Sequence, residues 1–326
     1  MGRSFFLIFM AAVGLFGFHP SVQSEETMIS VINVHMHLIP SDVASEEAWL
    51  KSAETYIRQM DEAGMETAVN LLMQNFRQKS PNEVVEKALA HNRVVRQKYP
   101  GRFITFAGID PRLPEKEYLE LLEKAVKVYG CTGIGELVCQ QWKVRLSDPQ
   151  YKPYLSKVQE LGVPLLMDGT YFGSDPMVYS HPDVVEALVR AYPGLQICVG
   201  GTGANMPPVI LDGRPIPARE RFLQLAEKYP NLWLDLDDWQ LAEGPGIGEL
   251  VRFVKKAMAG PARTRIMFGS DFPVPSLQGD RNYREVDFLR NILSYNEKEG
   301  IGIMPEEWDL FFHLNAGRFL NSARKY

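Results

Sequence analysis

Cysteine is scarce: three residues in 326, an odd number, placed at Cys131, Cys139 and Cys198. That excludes a disulfide-built scaffold. Cys131 and Cys139 fall on one predicted strand, about 26 Å apart if fully extended, and cannot pair unless that strand folds back. All three read as buried thiols, with Cys139 near a strand end. Excess charge is missing too: 35 Lys and Arg stand against 40 Asp and Glu, a formal net charge of −5. So small an acidic balance provides no general field for gripping phosphate backbones, which sets nucleic acid aside as a partner. No apolar run reaches membrane-spanning length. The run Phe5–Phe18 covers 14 residues, about 21 Å of helix against a hydrocarbon core of roughly 30 Å. Low-complexity and linker-like stretches are absent as well, so nothing divides the chain into domains.

What is present begins with that run. Arg3 is the only charge ahead of it, and a polar segment follows from His19 to Ser24, with small residues at Val22 and Ser24. A charged start, a short apolar centre and small residues before Glu25 describe a secretory signal peptide over residues 1–24. The expectation is a periplasmic or secreted protein with no membrane span once the leader is removed. Taking 24 residues from 326 leaves 302, residues 25–326, to fold.

Within those residues eight short apolar, β-rich runs alternate with longer helical patterns. The runs are Val31–Val34, Thr67–Met73, Phe103–Ile109, Gly133–Val138, Val163–Met167, Leu195–Val199, Leu232–Leu236 and Arg265–Phe268. Helical periodicity fills stretches such as Glu46–Ala63, Glu83–Tyr99, Glu115–Tyr129, Lys152–Leu161, Asp183–Tyr192, Ala218–Tyr229 and Gly248–Met258. Stop signals such as Ala63-Gly64 and Tyr192-Pro193-Gly194 end several of them. Eight alternations imply an α/β fold of parallel strands with crossover helices, closed as a single-domain (β/α)8 TIM barrel. An open doubly wound sheet is the runner-up. It calls for a phosphate-binding turn after the first strand, where this chain reads Val34-His35-Met36-His37. Gly201-Thr202-Gly203 fails the longer dinucleotide pattern because Met206 stands where a small residue is required.

Barrel chemistry sits at the C-terminal strand ends. Strand one ends in His35-Met36-His37, and residues two apart point the same way, so both imidazoles can enter the mouth. A pair of neutral imidazoles is a ready site for a divalent metal ion. Strand eight ends in Gly269-Ser270-Asp271-Phe272-Pro273. Asp271 faces the two histidines across a closed barrel, where it can bind metal and accept a proton from water.

These motifs, with Gly133-Ile134-Gly135-Glu136-Leu137, Ile109-Asp110-Pro111 and the closing Asn315-Ala316-Gly317-Arg318-Phe319-Leu320, resemble the amidohydrolase superfamily. The likeness is greatest to the amidohydrolase-related branch that includes aminocarboxymuconate-semialdehyde decarboxylase and many hydrolases, and it spans nearly the whole mature chain. Members usually carry metal-binding histidines at the ends of strands five and six. Here those positions read Asp168 and Gly201, so the histidine-rich site is reduced to two histidines among carboxylates.

The resemblance therefore implies a divalent ion, zinc or manganese, held by His35, His37, Asp271, Glu136 and Asp168. Strand seven, Trp233-Leu234-Asp235-Leu236-Asp237, turns Asp235 and Asp237 inward if its leucines pack under helices, with Asp237 nearer the mouth. Arg112, Tyr171, Gly201, Asp237 and Trp239 are the expected substrate contacts, with Trp142, Arg145 and Phe172 nearby in the same loops. The function expected is hydrolysis of an amide, ester or lactone of a small molecule by metal-activated water. The alternatives are a metal-dependent decarboxylase and a non-catalytic periplasmic binding or scaffold protein, with self-association into a homo-oligomer left open.

Overall fold

Val31-Ile32-Asn33-Val34 opens the first of eight parallel strands that form one sheet in the computed structural model, which describes residues 30–72, 82–171, 177–237, 246–274 and 283–322. In chain order the strands are β1 (Val31–Met36), β2 (Met65–Leu72), β3 (Phe103–Ala107), β4 (Gly133–Leu137), β5 (Leu165–Asp168), β6 (Ile197–Gly200), a hairpin of β7 (Val209–Leu211) and β8 (Arg214–Ile216), β9 (Leu232–Leu236) and β10 (Ile266–Phe268). The barrel sheet runs β1-β2-β3-β4-β5-β6-β9-β10, all parallel. It nearly closes, through a bridge between Met36 and Phe272.

Flanking helices connect the strands: α1 (Glu46–Ala63), α2 (Asn82–Lys98), α3 (Glu115–Lys127), α4 (Cys139–Trp142), α5 (Lys152–Glu160), α6 (Pro182–Ala191), α7 (Ala218–Lys228), α8 (Gly246–Met258) and α9 (Glu285–Lys298). Local chemistry sets their ends. Ser45 caps α1 by accepting the Ala48 N–H at 3.3 Å, and Gly64 stops it in the left-handed conformation, φ 68°. No described helix is long and apolar enough to cross a membrane.

Two apolar layers result. The larger lies between strands and helices, and the smaller fills the barrel with Ile32, Val34, Val69, Leu71, Phe106, Leu166, Cys198, Trp233 and Met267. The closing Asn-Ala-Gly-Arg-Phe-Leu motif lies on α11 (Asn315–Ser322), which follows the short α10 (Pro305–Asp309) and one π-helical turn. Its Ala316 and Phe319 join the inner layer, the Phe319 ring centre lying 5.4 Å from that of Trp233 and 6.2 Å from that of Phe106 in tilted contacts. Asn315 fixes that plug by donating to the Arg263 and Ile266 carbonyls, both at 2.8 Å.

Two expectations need correction. Cys131 and Cys139 do not share a strand: Cys131 precedes β4 and Cys139 opens α4, because β4 spans only Gly133–Leu137. All three cysteines are free and buried, as expected. The β7–β8 hairpin was not anticipated, since three-residue strands are too short to show an alternation. The proposed leader, residues 1–24, lies outside the described residues.

Candidate metal centre

A bulge in β1 aims the two histidines. Asn33 pairs with Ala68 and Met36 with Asn70, so three steps on β1 oppose two on β2. The extra residue shifts the side-chain phase. Ile32 and Val34 fill the barrel and Met36 packs in the outer layer, while His35 and His37 turn to the mouth, each about 1% exposed. His37 donates its Nδ1–H to the Leu71 carbonyl at 2.8 Å, which leaves Nε2 as a bare lone pair. That Nε2 is buried without a hydrogen-bond partner. His35 Nδ1 lies 2.7 Å from Asp235 Oδ2 and 2.9 Å from Asp237 Oδ2, so its Nε2 also points to the mouth.

A second bulge delivers Glu136. Ile134 pairs with Leu165 and Leu137 with Met167, again three steps against two. Gly135 makes this fold feasible: its φ is +146°, and a Cβ there would sit 2.5 Å from the Leu166 carbonyl oxygen. Asp271 arrives from the end of β10 in the left-handed region, φ 54°, with its N–H donating to the His35 carbonyl at 2.9 Å.

Three ligand atoms then converge, those of His35, His37 and Asp271, all within 4.8 Å of one another, with Glu136 beside the two imidazoles. Glu136 Oε2 is 3.6 Å from Nε2 of both His35 and His37, and Asp271 Oδ1 is 3.1 Å from His37 Nε2 and 3.8 Å from His35 Nε2. Ligands around a tetrahedral ion at about 2.0–2.2 Å lie roughly 3.3–3.6 Å apart, and the His35, His37 and Asp271 atoms lie near that spacing, as a site for a divalent cation requires. The lone pair of His37 Nε2 facing carboxylate oxygens is repulsive without a cation or proton between them, and a bound ion removes that repulsion. Asp235 behind His35 is the outer carboxylate that fixes ring orientation at such centres.

Behind these atoms stand more carboxylates. His35, Asp235 and Asp237 form a second cluster whose ligand atoms lie within 4.8 Å of one another. Burial alone would lower the His35 pKa, but the Asp237, Asp235 and Glu136 charges hold it well above the usual histidine range. Burial pushes Asp235 up to about 7 and Asp271 to about 6. Burial also raises Glu136, but the two histidines outweigh it and its carboxyl stays below the ordinary value. Asp168 is raised well above the carboxylate range by burial and by the Glu136 charge. Its Oδ1 accepts the Thr170 N–H at 2.7 Å and its Oδ2 has no partner, but it belongs to neither cluster of converging ligand atoms.

The position where a strand-six histidine was expected is closed by space. A Cβ on Gly201 would lie 2.1 Å from Thr170 Oγ1 and 3.1 Å from Asp237 Oδ1, and one on Gly200 would lie 2.9 Å from His35 Cε1. Thr170 and Asp237 occupy the room beside Gly201, and His35 that beside Gly200. Arg112 grips Asp110 with two N–H donors, Nε to Oδ1 at 2.9 Å and Nη2 to Oδ2 at 2.7 Å, and lies over the Trp142 ring at 5.3 Å. Tyr171 is partly buried, its N–H donating to the Ala204 carbonyl at 3.0 Å, and Arg145 is exposed. Trp239 and Phe172 lie outside the described residues. Sequence reasoning gave Asp235 no role, although the Leu234/Leu236 alternation had already turned it inward. It also missed Asn33, Tyr56 and Glu285, which no motif marks, and gave Ser270 no role although the residue lies in the Gly-Ser-Asp-Phe-Pro motif.

A family model described as Amidohydrolase matches residues 32–321. Among curated proteins no match is found. Solved structures similar in fold include 2,6-dihydroxybenzoate decarboxylase from Rhizobium, 18% identical over 90% of this chain and 99% of that one, with TM-score 0.62. A 5-carboxyvanillate decarboxylase from Novosphingobium aromaticivorans, complexed with manganese, is 16% identical over 91% and 97% of the two chains, TM-score 0.61. A probable 2-pyrone-4,6-dicarboxylic acid hydrolase from Acinetobacter baumannii is 16% identical over 89% and 99%, TM-score 0.61. At such identities the likeness concerns the fold.

Proposed function

Because the chain belongs to the amidohydrolase family, whose model matches residues 32–321, we propose that it is a metal-dependent hydrolase of an uncharged amide, ester or lactone. The observation that carries this is the convergence of His35 Nε2, His37 Nε2 and Asp271 Oδ1, with Glu136 Oε2 beside both imidazoles, around a buried lone pair with no partner. A divalent ion bound there supplies Lewis-acid polarisation of the carbonyl and lowers the pKa of water. Asp271 is the proton acceptor: its side chain, 17% exposed, is the most accessible of the converging groups, and burial has moved its pKa to about 6. Asp235 and Asp237 hold His35 in one orientation through Nδ1.

Charge supports a neutral substrate. Glu136, Asp168, Asp235, Asp237 and Asp271 share the mouth, and among the described residues no Lys or Arg pairs with any of them. Burial and the Glu136 charge favour the protonated form of Asp168, and burial raises Asp235 to about 7. One divalent cation therefore leaves no excess positive charge among these groups to draw an anionic substrate. A second reading, a metal-dependent decarboxylase, is favoured by the manganese-bound decarboxylase of the same fold, but its substrate would bring one more carboxylate. A panel of lactones, esters and amides is assayed for acid release and a panel of aromatic carboxylates for CO2, both with Mn²⁺ or Zn²⁺. Acid release that falls by about 10²–10⁴ in kcat in Asp271→Asn is the expected result. CO2 release without hydrolysis favours the decarboxylase, and metal and ligand binding with neither product favours a binding protein.

A further inference from the structure

We propose that Glu285 is a positioning residue for the metal centre: with Tyr56, Asn33 and Ser270 it forms a buried clasp that fixes the histidine strand against Asp271. The inference rests on the metal-centre reading above. The sheet is hydrogen-bonded from β1 round to β10, but among the described residues those two strands meet only at the Met36–Phe272 bridge. Three backbone bonds accompany it: His37 N–H to the Phe272 carbonyl at 2.7 Å, and Ser270 and Asp271 N–H to the His35 carbonyl at 3.2 and 2.9 Å. The candidate ligands His35 and His37 therefore lie on one side of the barrel's seam and Asp271 on the other. Any slide along that seam changes the His37–Asp271 spacing directly.

The clasp spans this seam from behind. Glu285, at the start of α9, accepts the Ser270 hydroxyl at 2.6 Å and the Tyr56 hydroxyl at 2.8 Å on the same oxygen, Oε1. Asn33 donates its amide to both hydroxyl oxygens, each at 2.7 Å, and its Oδ1 accepts the His35 N–H at 3.0 Å. Ser270 Oγ also accepts the Phe272 N–H at 3.2 Å. Residues 270 and 272, which flank Asp271, thus both end on one hydroxyl, and that hydroxyl ends on Glu285. Asn33 ties the same hydroxyl to the backbone of His35. Asn33, Tyr56, Ser270 and Glu285 are each at most 1% exposed, and Glu285 has no cationic partner among the described residues. A dehydrated carboxylate without a cation is a poor device for stability alone, but it is a suitable one for holding two hydroxyl donors in register.

The test uses the full chain, stripped of metal and titrated with Mn²⁺, with free ion followed by electron paramagnetic resonance. Circular dichroism and melting of the metal-free variants control for folding. Glu285→Ala should weaken Mn²⁺ binding by about 10–100-fold, the range for outer groups that orient metal ligands. Tyr56→Phe and Ser270→Ala should shift it in the same direction, and Glu285→Gln, which keeps the acceptor oxygen, should bind like the parent. A purely structural role would move melting while leaving the affinity of the folded fraction unchanged. Should Glu285→Ala not fold, the Tyr56→Phe and Ser270→Ala affinities decide. Folded variants that bind Mn²⁺ as tightly as the parent overturn the positioning role alone. A parent chain that binds no Mn²⁺ overturns the metal-centre reading, and this role with it.

Discussion

Glu285 also has a consequence in pH. Burial, reinforced by the Asp271 charge and only partly offset by its hydroxyl partners, pushes its pKa up to about 7, against about 4.3 in an unfolded chain. Between those values the folded state binds more protons than the unfolded one. Stability therefore falls as pH rises from about 4.3 to about 7, by on the order of 4 kcal/mol from this group. Urea midpoints of metal-free protein at pH 5 and pH 8 should differ less in Glu285→Gln than in the parent, and equal differences would contradict the burial argument. Nothing in the sequence marked Glu285 out, because a glutamate at the start of a helix reads as an ordinary first-turn charge. His35, His37 and Asp271 were legible because short motifs at strand ends name them. Asp235 was half legible: its inward direction followed from the leucines, but its contact with His35 at 2.7 Å depends on how β9 meets β1 across the barrel.

At the scale of elements, apolar periodicity located every barrel strand to within about two residues, and α1 matches its expected span, Glu46–Ala63. The bulges in β1 and β4 were not legible. One inserted residue leaves an apolar run looking apolar, and the phase change appears only when a neighbouring strand supplies the register. The bulges matter because they bring His35, His37 and Glu136 to the mouth. The opposite end of the barrel is a separate matter. Phe319 on α11 is fully buried against Phe106 and Trp233, so Phe319→Ala should cost about 3–5 kcal/mol. Mn²⁺ affinity of the folded fraction should not change, and a matching loss of affinity would show that plug and mouth are coupled.

For the molecule as a whole, the leader makes export a proposal: N-terminal sequencing of fractionated protein should find a chain beginning near Glu25 outside the cytoplasm. A full-length chain recovered from the cytosol would remove it. A divalent ion held by His35, His37 and Asp271, with Glu136 beside them, shows most directly in the melting of chelated protein with and without metal. A ligand at 100 times its dissociation constant stabilises a fold by about 2.7 kcal/mol. At roughly 2–4 °C per kcal/mol for a domain of somewhat smaller size, Mn²⁺ or Zn²⁺ should raise Tm by about 5–10 °C. The His35→Ala/His37→Ala double variant should lose that rise, and His91→Ala, outside both clusters of possible ligands, should keep it. No rise in the parent with Mn²⁺, Zn²⁺, Fe²⁺ or Mg²⁺ would contradict the account.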